Sequence, residues 1–122
     1  PEAGLNYPLG TRERELVYQW ILFAVTEIDP YVVSARDERG HDPERSAKAA
    51  ERAAQAVAVV ERDLGSREFI VGDRLTAADI VLGAILAFAR RQGIVEDSPN
   101  VERYLDALAA RPAWIRSYEP RT

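Results

Sequence analysis

The stretch GDRLTAADIVL, residues 72–82, places a threonine and an aspartate three residues apart just before a long apolar run. A carboxylate there could act as a general acid or base. The same spacing, Thr76-x-x-Asp79, is typical of a capping box, in which the Thr76 hydroxyl accepts from the Asp79 amide and the Asp79 carboxylate accepts from the Thr76 amide. Because backbone amides lower the pKa of a carboxylate that they bind, we interpret the pair as a structural N-cap and predict no catalytic residue here.

Other groups suited to catalysis or metal binding are scarce. The chain has no cysteine, which excludes disulfides, thiolate metal sites and a cysteine nucleophile. Its only histidine, His41, lies in the turn-like stretch RGHDP, with Ser34 and Ser46 as the nearest candidate nucleophiles. We interpret His41 as a solvated loop residue, and a single histidine cannot form a multi-histidine metal site. The sequence therefore predicts no metal site and no bound cofactor.

Composition favours a globular domain of 122 residues, with 47% hydrophobic residues, 30% charged residues and a net charge of −4. No basic cluster is dense enough to predict nucleic-acid binding. Charges interrupt the apolar stretches well before the roughly 20 residues that span a bilayer, so we predict no transmembrane helix and no membrane partner. Methionine is absent even at position 1. We therefore expect a chain that lost its initiator or forms the interior part of a longer protein.

Hydrophobic periodicity predicts an all-α fold, a bundle of four to five helices around a buried central helix. The first helix begins at Thr11, and Pro30 is expected to kink it or end it near Asp29. The second runs from the cap Asp42 to about Leu64. Small residues are expected on its inner face, namely Ala47, Ala50, Ala54, Val57, Ala58 and Val60.

The helix after Thr76 is predicted to be the central one. Its residues are apolar almost all round as far as Gln92, which indicates burial on every side. The segment 66–75 before it has no helical period, and we predict a loop whose apolar cluster, residues 69–71, is buried beneath the helices.

The two ends of the chain have different predicted roles. A fourth helix is expected from Ser98 to Arg111, and Pro112 can open a last short one. Residues 1–10 are interpreted as a linker or arrival segment because they contain several turn-forming residues. The predicted helical domain is therefore 11–122.

Three segments resemble one known family. FIVGDRLTAADIVLGAIL resembles the most characteristic segment of the C-terminal domain of cytosolic glutathione transferases, where an aromatic-aliphatic-Gly run leads into a Thr/Ser-x-x-Asp box that caps the central helix. QWILFAVTEIDP is similar to the first helix of that domain. SPNVERYLDALAARPAW is similar to its Pro-helix-Arg-Pro-Ala ending. The resemblance covers residues 7–118.

The resemblance implies a two-domain cytoplasmic enzyme. In the family, an N-terminal thioredoxin-like domain binds glutathione, the co-substrate, and activates its thiol. No βαβ pattern is present here, so that domain is absent and the isolated chain is expected to be inactive. The helical domain supplies an apolar wall for the acceptor substrate and contacts for a homodimer. Whether this chain belongs to an enzyme is left open.

The resemblance also implies site residues. The positions that match the border of the glutathione site are Thr26, Glu27 and Asp29; as charges or polar groups near a helix end, they are alternatively solvated. The candidates for the acceptor pocket are Tyr18, Phe23 and Tyr31, which are alternatively core or interface aromatics.

Two further functions stay open at this point. The same fold serves as a non-catalytic protein-interaction module in translation-factor and synthetase assemblies, so the partner of this chain is either the thioredoxin-like domain or another protein. A small-ligand binding or storage bundle is the third alternative.

Overall fold

The computed structural model describes residues 5–112, which form α-helices, a π-helical segment and no strand. The helices are α1 Arg12–Phe23, α2 Asp29–Glu38, α3 Pro43–Leu64, α4 Ala77–Arg91 and α5 Pro99–Ala109, with the π segment Ala24–Ile28 joining α1 to α2. The predicted all-α fold is confirmed. The short helix predicted after Pro112 lies outside the described residues.

Helices α1 and α2 form one continuous helix because the π segment accommodates Pro30. Proline has no N–H and crowds the carbonyl four residues before it. The chain responds with a wider turn, in which the Asp29 N–H donates to the carbonyl of Ala24, five residues back. The helix therefore does not end near Asp29 but continues to Glu38.

The joined helix Arg12–Glu38 is long and apolar enough, by length and composition, to cross a membrane. Its most apolar window has a mean hydropathy of 1.2, and 22% of the residues in that window are buried. Glu27 and Asp29 interrupt its apolar stretch, and the expectation that no helix spans a membrane stays a prediction. A long amphipathic helix of a bundle can meet the same criterion. Here the buried residues recur every three or four positions, which is the pattern of a helix packed on one side; they are Val17, Trp20, Ala24, Ile28, Val32 and Ala35.

Helix α3 has the predicted ends and part of the predicted inner face, because Val57 and Val60 are buried and Ala50 is half-buried. The Asp42 carboxylate accepts from the Arg45 N–H at 3.1 Å at its start, and Gly65 follows its end. The buried residues are Ser46, Ala49, Ala53, Ala56, Val57, Val60 and Leu64, whereas Ala47, Ala54 and Ala58 are exposed. Alanines occur on both sides of this helix, and packing on α2 selects one side: Ser46 Oγ donates to the Ala35 carbonyl at 2.6 Å.

Helix α4 is central but not buried on every side. Its buried residues form one broad face, Ala78, Asp79, Leu82, Gly83, Leu86 and Ala89, while Ile80, Val81, Ile85 and Phe88 are partly covered. The loop before α4 buries Phe69, Ile70 and Val71, as predicted. Helix α5 packs through Val101, Tyr104, Leu105 and Leu108.

A carboxylate from α3 caps the start of α5. Ser98 makes no side-chain cap bond. Instead, Glu61 Oε2 accepts from the Asn100 N–H at 3.0 Å, and Glu61 Oε1 accepts from the Val101 N–H at 2.9 Å. Glu61 is thereby a contact between two helices.

Candidate functional site

Asp79 is a buried acceptor that joins three segments. Its Oδ2 accepts from the Thr76 N–H at 3.0 Å, and its Oδ1 accepts from the Ile70 N–H at 2.9 Å and from the Tyr104 hydroxyl at 2.6 Å. The Thr76 hydroxyl in turn accepts from the Ala78 N–H at 3.2 Å, and both halves of the capping box are present. The first turn of α4 is thereby tied to the preceding loop and to α5.

Burial raises the pKa values of both Asp79 and its hydrogen-bond partner Tyr104. Burial raises the pKa of the Asp79 carboxyl, and the hydrogen bonds from Ile70, Tyr104 and Thr76 oppose that rise without cancelling it. The expected lowering of the pKa was wrong because desolvation outweighs the hydrogen bonds. Burial, followed by the charge of Asp79, also raises the pKa of Tyr104 well above its ordinary value. Asp79 is 0% exposed, so its carboxylate meets no ligand from solvent.

The six candidates from the first helix divide between two faces. Tyr18 and Thr26 are exposed, Asp29 is half-buried, and their spacing places them on one face. Phe23, Glu27 and Tyr31, spaced by four residues, share another face and are half-buried. The structure therefore does not bring all six together.

Phe23, Glu27 and Tyr31 face α3. Arg52 of α3 donates to Glu27 Oε1 at 3.2 Å, and its guanidinium carbon lies 5.1 Å from the Tyr31 ring centroid. The Phe23 ring meets Trp20 edge-on at 5.4 Å. A shallow cleft between α1 and α3 is lined by Phe23, Glu27, Arg52, Gln55, Ala56 and Val59.

The opposite face carries apolar surface that is open to water. Tyr18, Leu22 and Val25 are 52%, 61% and 43% exposed and stand four and three residues apart. The Thr26 hydroxyl donates to the Leu22 carbonyl at 2.8 Å, so its proton is used within the helix. Leu22 and Val25 were not predicted as site residues. Their positions outside the three- and four-residue pattern of buried residues could have indicated an exposed apolar face.

The arrival segment is attached to the turn before α4. The Tyr7 hydroxyl donates to Asp73 Oδ1 and accepts from the Asp73 N–H, each at 3.2 Å. The Arg74 guanidinium carbon lies 4.0 Å from the Tyr7 ring centroid. Gly72, with a φ of +64°, lies beneath this ring, and a Cβ there would be 2.8 Å from Tyr7 Cζ. Within residues 5–112, no group of three or more acidic or histidine side chains is placed to hold a metal ion.

Comparison with known families agrees with this architecture. Residues 35–107 match the family described as glutathione S-transferase, C-terminal domain. The chain belongs to this family. The glutathione transferase C-terminal domain described here is 35% identical over 80 residues to a glutathione S-transferase of Emericella nidulans, a match that covers 62% of this chain and 30% of the relative.

Two further similarities extend along the chain. Elongation factor 1-gamma of Danio rerio is 28% identical over 107 residues, which cover 80% of this chain and 24% of that protein. The crystal structure of a glutathione transferase homologue from Lodderomyces elongisporus, with two glutathione molecules per subunit, has a TM-score of 0.83 at 23% identity. That match covers 94% of this chain and 57% of the other and shows the shared fold. The chain thus spans about a third or less of the curated relatives that it matches.

Proposed function

We propose that this domain is the helical half of a glutathione transferase. The reaction of the whole protein is then the attack of a glutathione thiolate on an electrophilic, mostly apolar acceptor. The observation that carries this proposal is the exposed apolar face of α1, formed by Tyr18, Leu22 and Val25. A contiguous apolar face on a domain surface is typical of a binding or interaction site.

The proposed roles follow the two faces of the first helix. The face of Tyr18, with Leu22 and Val25, is the acceptor wall, which raises the reaction rate by holding the acceptor near the thiolate. Thr26 and Asp29 continue this face and border the glutathione site. Thr26 lies in the π segment and Asp29 directly after it, and such segments are frequent at functional sites.

The second face has a supporting role in this proposal. Glu27 also borders the glutathione site, and its ion pair with Arg52 fixes its orientation. Phe23 and Tyr31 face α3, away from the acceptor wall, and are proposed to contact the acceptor at a second, separate region beside Arg52. Residues 1–10 are proposed as the arrival segment and 11–122 as the helical domain of a cytoplasmic protein that pairs with a thioredoxin-like domain and dimerises.

Activity measurements test this assignment. The purified 122-residue chain is expected to show no conjugation of glutathione to 1-chloro-2,4-dinitrobenzene above the uncatalysed rate, because we assign thiol activation to the thioredoxin-like domain of the family. The natural protein with its upstream domain is expected to be active. In that protein Leu22→Glu should raise KM for the acceptor several-fold, whereas Arg62→Gln on the exposed side of α3 should not. Conjugation by the isolated chain would contradict the assignment.

A non-catalytic interaction module is the second candidate, and the similarity to elongation factor 1-gamma over 80% of this chain favours it. The reading frame upstream of Pro1 separates the two candidates. A thioredoxin-like pattern with a cis-proline signature there supports the enzyme, and an immediate start codon supports the module. In the second case the exposed face of α1 is the docking surface for the partner.

A further inference from the structure

An open cleft of about 680 Å³ lies where the arrival segment crosses the start of α4, and we call it the arginine cleft. Its lining combines two guanidinium groups with apolar and aromatic surface. The residues are Leu5, Asn6, Tyr7, Pro8, Arg14, Arg74 and Ala77. Neither the acceptor wall nor the glutathione border proposed above includes this cleft.

The two guanidinium groups are held in place by neutral acceptors. Arg14 donates from Nε and Nη2 to the Tyr18 hydroxyl, at 3.2 and 2.7 Å, and from Nη1 to the Tyr7 carbonyl at 3.2 Å. Arg74 donates from Nη2 to the Asn6 carbonyl at 2.9 Å, and its guanidinium carbon lies 4.0 Å from the Tyr7 ring centroid. Since a guanidinium has five N–H groups, Arg14 keeps two donors and Arg74 keeps four that have no partner within residues 5–112.

The charge of these two arginines is not neutralised by the part of the chain that the structure describes. Within residues 5–112, no carboxylate lies within 4.0 Å of either guanidinium group. The acidic neighbour Asp73 accepts the Tyr7 hydroxyl instead. Two oriented cations thus share a cleft with the apolar residues Leu5, Pro8 and Ala77, and Tyr7 and Asn6 complete the lining.

We propose that the arginine cleft binds a carboxylate carried on an apolar body. A planar guanidinium with adjacent free donors matches the two oxygens of a carboxylate, and this pairing is stronger than a neutral hydrogen bond. The apolar part of the ligand lies against Leu5, Pro8 and the Tyr7 ring. Arg14 and Arg74 supply the charge, and Tyr7 fixes the plane of Arg74.

Titration of the labelled chain with 3-phenylpropionate tests this, with uncharged 3-phenylpropionamide as the matched control. The carboxylate should produce saturable shifts in the backbone amide signals of Tyr7, Arg74 and Ala77, and the amide should bind at least tenfold more weakly. The titration is run in a Glu2→Gln background, because Glu2 is close in sequence to the cleft and would compete. Equal binding of the two compounds, or no saturable shift at these amides, overturns the proposal.

Substitutions test whether Arg14 and Arg74 are responsible for the binding. Arg14→Gln and Arg74→Gln should each weaken phenylpropionate binding at least tenfold, whereas Arg62→Gln, on the exposed side of α3, should leave it unchanged. Arg74→Lys keeps the charge without the planar fork and should fall between the wild type and Arg74→Gln. If Arg74→Gln does not fold, Arg74→Lys decides alone. Unchanged affinity in a folded Arg74 variant overturns the proposal.

Discussion

The phenolic hydroxyl of Tyr104 donates to Asp79 Oδ1 over 2.6 Å, and both side chains are buried. The bond connects the middle of α5 to the first turn of α4. The same oxygen also accepts from the Ile70 amide in the preceding loop. One carboxylate therefore holds two helices and a loop together, in a place where each hydrogen bond is shielded from water.

Replacement of this carboxylate by Asp79→Ala should lower the free energy of unfolding by about 3 kcal/mol or more. The change leaves the Ile70 and Thr76 amides and the Tyr104 hydroxyl without their acceptor inside the protein, and each unsatisfied buried group costs roughly 1–3 kcal/mol. Urea denaturation at neutral pH measures the loss. Asp106→Ala removes a carboxylate that is 74% exposed and should change the value by less than about 0.5 kcal/mol. An unchanged midpoint for Asp79→Ala would contradict the capping role.

The dependence of the free energy of unfolding on pH should reveal the ionisation of the Tyr104 hydroxyl. The pKa of Tyr104 is raised well above 10.0 in the folded protein, so the unfolded chain releases this proton at a lower pH than the folded protein does. The contribution of Tyr104 to the free energy of unfolding is therefore fully present below pH 10 and is lost as the pH rises through the folded-state pKa. At pH 8 Tyr104→Phe should cost about 1–2 kcal/mol. From pH 10 to 11 the difference between wild type and variant should shrink. Paired urea titrations across this range measure it, and a growing difference would refute the assignment.

Glu61→Gln should weaken the attachment of α5 to α3. Gln keeps one acceptor for the Asn100 and Val101 amides, where Glu61 offers two, and it removes a negative charge from a helix N-terminus. We expect a loss of about 1–2 kcal/mol in the free energy of unfolding. Glu51→Gln, an exposed change on the same helix, is the matched control and should be nearly neutral. Equal stability of the two variants would show that the cap contributes nothing.

Gly72→Ala should destabilise the protein by about 1–2 kcal/mol through its left-handed backbone alone. The new Cβ would also meet the Tyr7 ring. Thermal unfolding measures the sum, and Gly40→Ala, with no heavy atom within 4 Å of its Cβ, is the control. In a Tyr7→Ala background the cost of Gly72→Ala should fall, because the contact is gone and only the backbone strain remains. An equal cost in both backgrounds would mean that Tyr7 gives way freely.

Local signals were enough to predict most helix ends. The caps of α4 and α3 are encoded within one helical turn, so the hydrogen bonds of Thr76 with Asp79, and of Asp42 with the Arg45 amide, can be inferred from local sequence. The Pro30 signal was interpreted less well, because a proline inside a helix has several outcomes and the wider π turn depends on how α1 and α2 both pack. The alanine faces of α3 were assigned wrongly because alanine buries too little area to mark one side by itself.

Long-range contacts escaped prediction for a different reason. Tyr104 lies 25 residues from Asp79, and Asn100 lies 39 residues from Glu61, so no spacing rule links them. For the candidate site, the sequence identified aromatic and polar residues on the first helix but could not divide them between its two faces. The π segment changes the helical register between Phe23 and Asp29, and that change is set by tertiary structure.

The distances along the chain between Asp79 and its donors also bear on the order of assembly. Thr76 and Ile70 are three and nine residues away, so the loops that bring them to the carboxylate are short and lose little entropy on closing. Tyr104 closes a loop nearly three times longer than that of Ile70. The hydrogen bonds at the start of α4 can thus form before α5 packs, and the Tyr104 bond then stabilises a turn that is already formed.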